Sequence, residues 1–336
     1  MKILFISNQF YPIVGGIPLQ GIQLIEFFLK KKHQVIVITN TNLTKKQKKI
    51  FNYEIYSNID KSKINELHDW ADIIFHNNIS LRLSSLKFKH FKKTIVSIHM
   101  WINSNQNLLK FIIKKFFIFF CAERIYVSRS IKEHIALNGK IINNFYDHKI
   151  FKNYKKNSLR KKKIVFIGNL LPDKGLYTLL ETIKKLKYFL NNKDVTIVGD
   201  GKYYNFYKQV VKKFKITNIV DFKGSQSKLS ISKILNNHSI LVVPSYKEPF
   251  GIVALEGLAS GCITILSNSY GLSEFSKHFF YFFKNKNSND LYRLLKNCIT
   301  NKKLKKKNYN KYLNRFKVAN VGNKYLSIFH KIKNKC

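Results

Sequence analysis

Apolar residues in this 336-residue chain gather in short blocks, separated by polar turns or by stretches with helical spacing. Lys2 to Ser7 and Gln34 to Thr39 read as buried strands, because such brief apolar runs between polar turns suit a strand covered on both faces. Between them, residues 8–18 form a loop holding Gly15-Gly16. Leu19, Ile22, Leu24, Ile25, Phe28 and Leu29 then recur at helical spacing over 19–32. Strand, glycine loop, helix and strand in that order predict a βαβ unit and a parallel sheet. Further strands are predicted at 73–76, 94–99 and 124–127. A basic, polar stretch at 152–163 reads as a linker, and a second βα series follows it. That series has strands at 164–167, 195–198, 220–222, 240–243 and 262–266, with helices at 176–190 and 252–260. Val318, Val321, Tyr325, Ile328, Phe329 and Ile332 mark a closing helix. The fold class expected is α/β, with two Rossmann-like doubly wound domains at 1–151 and 164–315. A helix at 316–334 is expected to cross back to the first domain. Ligands of such folds bind at the carboxyl ends of the strands.

Composition narrows the picture. An apolar share of 45% can fill two cores at this length. Met1 to Asn8 turns polar at once, so no secretory leader is expected. No apolar run approaches the roughly 18 residues that span a bilayer. Cys121, Cys262, Cys298 and Cys336 are scattered, which argues against a zinc site or a disulfide framework and for a reduced cytosolic setting.

The net charge of +43 changes the picture more. Abundant Lys, Asn, Ile, Phe and Tyr fit a coding bias, yet Glu shares that bias and Asp plus Glu total only 18. Such a chain attracts polyanions. An anionic membrane surface ranks above nucleic acid, since no base-stacking motif is present. The runs Lys155-Lys156, Arg160 to Lys163 and Lys302 to Lys307 read as solvated linker or helix ends. Residues 108–120 are almost wholly apolar except for Lys110, Lys114 and Lys115. A helix packed on the first sheet is the preferred reading there, and an interfacial helix on the membrane is the other.

The chemistry concentrates in Glu248-Pro-Phe-Gly-Ile-Val-Ala-Leu-Glu256. A strand, a loop carrying Glu248 and a helix starting near Ile252 place unsatisfied helix amides beside a carboxylate. The amides suit phosphate and the carboxylates suit hydroxyls, which are the two halves of a sugar nucleotide. Only nine acids lie in residues 151–336, so two framing an apolar Pro-Phe-Gly turn are not idle.

At this point the chain resembles the family-four retaining glycosyltransferases of the GT-B fold, the glycosyl transferases group 1, over nearly its full length. The resemblance rests on Phe166 to Leu170 with Lys174-Gly175, Ile197 to Gly201, Val220 to Gly224, Pro244-Ser245, Glu248 to Glu256, Ala259 to Gly261 and Gly271 to Glu274. In the first half Gly15-Gly16, His99, Ser128 and Asn144 to Asp147 fall in the family's order. The resemblance implies a nucleotide-diphosphate sugar donor in an interdomain cleft and no metal cofactor, in keeping with the lack of an Asp-x-Asp motif. Lys174 would neutralise the diphosphate and the leaving group. Glu256 would hold ribose hydroxyls, and Glu248 the transferred sugar. Amides around Phe250, Gly251 and Ile252 would meet phosphate or sugar oxygens. Gly16 would admit the diphosphate, His99 would bond near the sugar, and Glu274 joins the substrate-binding set.

The resemblance also implies sugar transfer to a glycan acceptor, lipid-linked as in bacterial lipopolysaccharide or capsule assembly. The enzyme would then be cytoplasmic, peripheral on the inner membrane face, without a specific nucleic-acid partner. Three departures stand out. Asn169 replaces the family's arginine, and Lys247, next to Glu248, is one candidate for a substitute cation. Cys262 replaces a proline, and Phe145 rather than glycine follows Asn144. Two rival readings are a nucleotide-sugar 2-epimerase or other GT-B enzyme, and a polyanion-binding protein with a decayed sugar site.

Overall fold

The computed structural model describes residues 1–13, 15–102, 108–154, 160, 162–300 and 308–336. The chain divides into two compact units, Met1–Phe145 with Phe316–Cys336, and Tyr146–Arg315. The basic runs at 155–156 and 302–307 lie outside the described residues.

In the first unit, β1 (Lys2–Ser7), β2 (Gln34–Thr39), β3 (Glu54–Ser57), β4 (Ile73–Asn77), β5 (Thr94–Ile98), β6 (Glu123–Tyr126) and β7 (Lys140–Ile141) form one sheet. Its order is β3-β2-β1-β4-β5-β6-β7, with parallel pairing throughout. Alternation along β1 separates two cores: Ile3 and Phe5 enter one apolar cluster, Leu4 and Ile6 the other. Both faces of the sheet are therefore covered, and the strands need apolar residues at every position. The helices Gly16–Lys30 and Val318–Lys333 pack against each other on one face. Phe28, Phe75 and Tyr325 surround the ring of Phe329 there. The closing helix thus completes the core of the unit in which the chain began.

The second unit repeats the plan with β8 (Lys162–Ile167), β9 (Val195–Val198), β10 (Val220–Phe222), β11 (His238–Val243), β12 (Ile263–Asn268) and β13 (Tyr281–Lys284). The order is β10-β9-β8-β11-β12-β13, again parallel. Strand order reverses between β8 and β11, so the loops leaving those two strands diverge around the crevice where such sheets bind ligands.

The structure corrects two readings. The division falls at 145/146, ahead of residue 151, because the following segment runs along the helix Lys228–Asn237. Ser232 Oγ donates to the Ile150 carbonyl at 2.8 Å, and Asn236 Nδ2 to that of Lys152 at 3.1 Å. Arg160, read as part of a solvated run, is buried. Its Nη1 donates to the Leu235 carbonyl at 2.8 Å and its Nη2 to that of Ser260 at 2.6 Å. Both carbonyls lie at helix C-termini, where acceptor capacity is left over, so helix ends hold the buried guanidinium.

Truncating Phe329 to Ala removes the ring that three aromatic neighbours enclose. We expect a loss of about 3–5 kcal/mol, read as a lower urea midpoint for the first unit.

Candidate functional site

The site on the second unit begins with a backbone contact. Gly175 ends the turn Pro172–Lys174 with φ 68°. A Cβ there would lie 1.9 Å from the Pro244 carbonyl oxygen. Only glycine lets the loop after β8 lie directly on the loop after β11. The Tyr246 amide donates to the Asp173 carbonyl at 2.7 Å and locks the two together. Lys174 is thereby aimed at Glu248, and its Nζ sits 2.8 Å from Oε2. Ser245 Oγ donates to the same oxygen at 3.3 Å.

The third wall is the turn Tyr270–Glu274 after β12. Its Gly271 amide donates to the Glu248 carbonyl at 3.0 Å, and a Cβ on Gly271 would lie 2.1 Å from the Pro249 oxygen. Ser269 Oγ donates to the Ser245 carbonyl at 2.8 Å, and Ser267 Oγ donates to it as well. Three loops from neighbouring strands are therefore pinned on one another mostly through backbone atoms.

The helix Ile252–Ala259 starts from Gly251 at φ 97°. The Ala254 amide bonds the Gly251 carbonyl, while among the described residues the amides of Ile252 and Val253 meet no backbone acceptor. They are the leading donors at the positive end of this helix. Phe250 is buried and packs on Phe275 at 5.1 Å, so only its backbone serves the site.

Glu256 lies one turn along this helix, partly exposed, and its carboxylate has no hydrogen-bond partner among the described residues. Loss of solvent pushes its carboxyl up to about 7; Lys228 pulls the other way and Asp147 adds to the rise. Asn169 is exposed. The Lys247 ammonium lies over the Tyr270 ring at 5.8 Å. Glu274 is exposed at the end of its turn.

The remaining predicted residues belong to the first unit. Gly16 is exposed and opens the helix Gly16–Lys30. His99 is buried just past β5, with Nε2 3.0 Å from Ser97 Oγ, which lies 3.0 Å from the Tyr325 hydroxyl. Among the described residues His99 Nδ1 makes no hydrogen bond of standard geometry, although the Asn144 side chain interacts with the imidazole. The residue lines a cavity of about 10 Å³ with Gln20, Asn77, Asn143, Asn144 and Tyr325, room for about one water. Burial lowers the His99 imidazole to about 4, so at neutral pH it is an uncharged hydrogen-bonding group.

Sequence patterns singled out neither Lys228 nor Ser97, Ser267 and Ser269, and marked Tyr325 only as part of the closing helix. Serines after strands carry no spacing signal; only folding brings them to the groups they bond. Among the described residues, no group of three His, Cys, Asp or Glu side chains converges.

The raised Glu256 sets a stability prediction. The native state keeps this proton where the unfolded chain, near 4.5, has lost it. The stability it contributes is full below about 4.5 and is lost as pH rises through about 7. Glu256→Gln should remove that part of the pH dependence, so the variant gains melting temperature over the parent between pH 5 and 8. A constant difference across this range would show that Glu256 titrates normally.

Comparison with known proteins agrees with this architecture. The family described as Glycosyl transferases group 1 matches residues 148–314. An uncharacterized glycosyltransferase of Methanocaldococcus jannaschii is 26% identical over 91% of this chain and 90% of its own. Lipopolysaccharide 1,2-N-acetylglucosaminetransferase of Salmonella typhimurium is 30% identical, over 33% of this chain and 32% of its own. The structure of Anabaena HepE in complex with UDP and glucose superposes with a TM-score of 0.79 at 16% identity, covering 98% and 99% of the two chains. With its two parallel-sheet Rossmann-like units the chain has the GT-B fold of glycosyltransferases, and its second unit matches the group 1 glycosyltransferase family.

Proposed function

We propose that this enzyme moves a sugar from a nucleotide-diphosphate donor to a lipid-linked glycan, with retention, in bacterial lipopolysaccharide or capsule assembly. The observation that carries the donor half is the Lys174–Glu248 pair beside the open amides of Ile252 and Val253, with an unpartnered carboxylate at Glu256. In an apolar-walled site a diphosphate calls for cations and amides, and sugar or ribose hydroxyls call for carboxylates.

Lys174 and the leading amides take the diphosphate, Glu256 accepts from the ribose, and Glu248 accepts from the transferred sugar. Asn169 and Glu274 add substrate contacts on this unit; on the first unit Gly16 and the neutral hydrogen-bonding group of His99 are the substrate-side candidates. In the retaining step the bond from the anomeric carbon to the phosphate oxygen breaks. The acceptor oxygen bonds the same face of that carbon, and its proton passes to the leaving phosphate. Lys174 offsets the charge developing on that phosphate, so the step calls for no metal. A donor-free Lys174–Glu248 pair also keeps both groups poised, since each satisfies the other until phosphate and hydroxyls replace that contact.

The acceptor half draws support from the lipopolysaccharide enzyme among the relatives. A lipid-linked acceptor places the enzyme on the cytoplasmic face of an anionic membrane, where a net charge of +43 favours attachment. The UDP bound by the similar HepE makes UDP the first nucleotide to test.

Thermal-shift measurements with UDP, GDP, ADP and CDP test the donor reading, because a ligand bound only by the native state raises the melting temperature. One nucleotide should give a clear rise, and Lys174→Ala should abolish most of it. Glu248→Gln should keep nucleotide binding and lower sugar transfer by about 10²–10³-fold. No shift with any of the four nucleotides, or an unchanged shift in Lys174→Ala, would reject the site.

A further inference from the structure

The helix Leu108–Phe120 buries only Phe117 and Ile118. Phe117 packs against His76 and Phe91 on the first unit. Leu108, Leu109, Ile112, Ile113, Phe116 and Phe119 are 44–66% exposed. At 3.6 residues per turn these six fall on one continuous outward arc of about 140°. Lys110 and Lys115 stand on opposite borders of that arc, and Lys114 lies beyond Lys110. A water-facing helix of a globular protein has the reverse pattern, with polar residues outward.

The arc continues onto a neighbouring element. Phe91 of the short helix Phe88–Phe91 joins Phe120 at 6.1 Å; Leu86, just before that helix, and Phe88 at its start are exposed, with the Lys92 ammonium 5.9 Å from the Phe88 ring. Residues 73–122 contain eight Lys or Arg and no Asp or Glu. A second copy meeting this face would bring the same lysines against themselves on a chain of charge +43. An anionic bilayer satisfies both features: acyl chains take the phenylalanine and leucine arc, and headgroups take the lysines at its borders.

We propose that the helix Leu108–Phe120 is an interfacial anchor, bedding its outward apolar arc in an anionic lipid surface with Lys110, Lys114 and Lys115 among the headgroups. The inference deepens the membrane-side reading of the acceptor, yet its geometry belongs wholly to the first unit and owes nothing to the sugar site. The axis of the anchor lies along the membrane plane, since none of the described helices is long and apolar enough to cross a bilayer.

Flotation of the full chain with vesicles tests the anchor, and UDP thermal shift on the same samples reports the donor site separately. The chain should float with phosphatidylcholine vesicles carrying about 30% phosphatidylglycerol at low ionic strength, and poorly with phosphatidylcholine alone. Ile112→Ser combined with Phe116→Ser should lower the bound fraction at least about tenfold, while the UDP response stays as in the parent. Lys110→Gln, Lys114→Gln and Lys115→Gln together, which leave the buried face intact, should weaken binding and flatten its salt dependence. Absence of flotation with anionic vesicles would overturn the proposal. So would equal flotation of the serine variant, which would mean that overall charge suffices. A dimer of the parent that the serine variant dissociates would assign the arc to a second copy instead.

Discussion

The second unit depends on one close approach of backbone to backbone, Gly175 lying on the Pro244 carbonyl. Parallel strands deliver both loops to the same edge of the sheet, but β8 and β11 send their chains in opposite directions from the switch point. Something must hold the two loops together where sheet hydrogen bonds have ended. The Tyr246 amide on Asp173 does so, and it can reach only because position 175 has no side chain. The Lys174–Glu248 pair, the serine contacts to the Ser245 carbonyl and the Gly271 turn all build on that approach. Rigid backbone contacts hold side chains to a fraction of an ångström more cheaply than side-chain packing on a mobile loop.

The two glutamates illustrate how position divides like residues. Glu248 sits between a lysine and a serine, so its charge is matched within the protein itself. Glu256 sits one helix turn deeper with no hydrogen-bond partner among the described residues, and burial together with Asp147 holds its proton more tightly. A carboxyl left in that condition costs stability near neutral pH, a cost expected where a ligand supplies the missing partners. Acids are also scarce, 18 against 61 basic residues in the chain.

The first unit spends apolar residues differently. Its sheet is covered on both faces, and the returning helix Val318–Lys333 packs into one of its two apolar clusters. That helix contributes two buried residues and leaves its widest apolar arc in water. Folding of the unit does not call for such an arc; contact with another apolar phase does. The buried His99, bonded through Ser97 to Tyr325 of the closing helix, shows the same helix acting on the inside of the unit.

Much of this was legible in the chain. Short apolar blocks bounded by turns gave the parallel strands, because a strand covered on both faces must be apolar throughout. The Lys174-Gly175 and Glu248 to Glu256 segments were legible through the family resemblance and through the scarcity of acids in the second half of the chain. Other features were not. Arg160 looked like one more solvated base until folding carried two helix ends to its guanidinium. The apolar run at 108–120 favours a helix packed on the first sheet, yet only Phe117 and Ile118 are buried, since helical periodicity in an almost wholly apolar segment does not say how much of it meets the sheet. The partnership of Lys174 with Glu248, 74 positions apart, and the raised carboxyl of Glu256 also arose only on folding. The order of residues determines which groups are present and which segments pair locally; which groups face each other, and which are cut off from water, is settled only when distant loops meet.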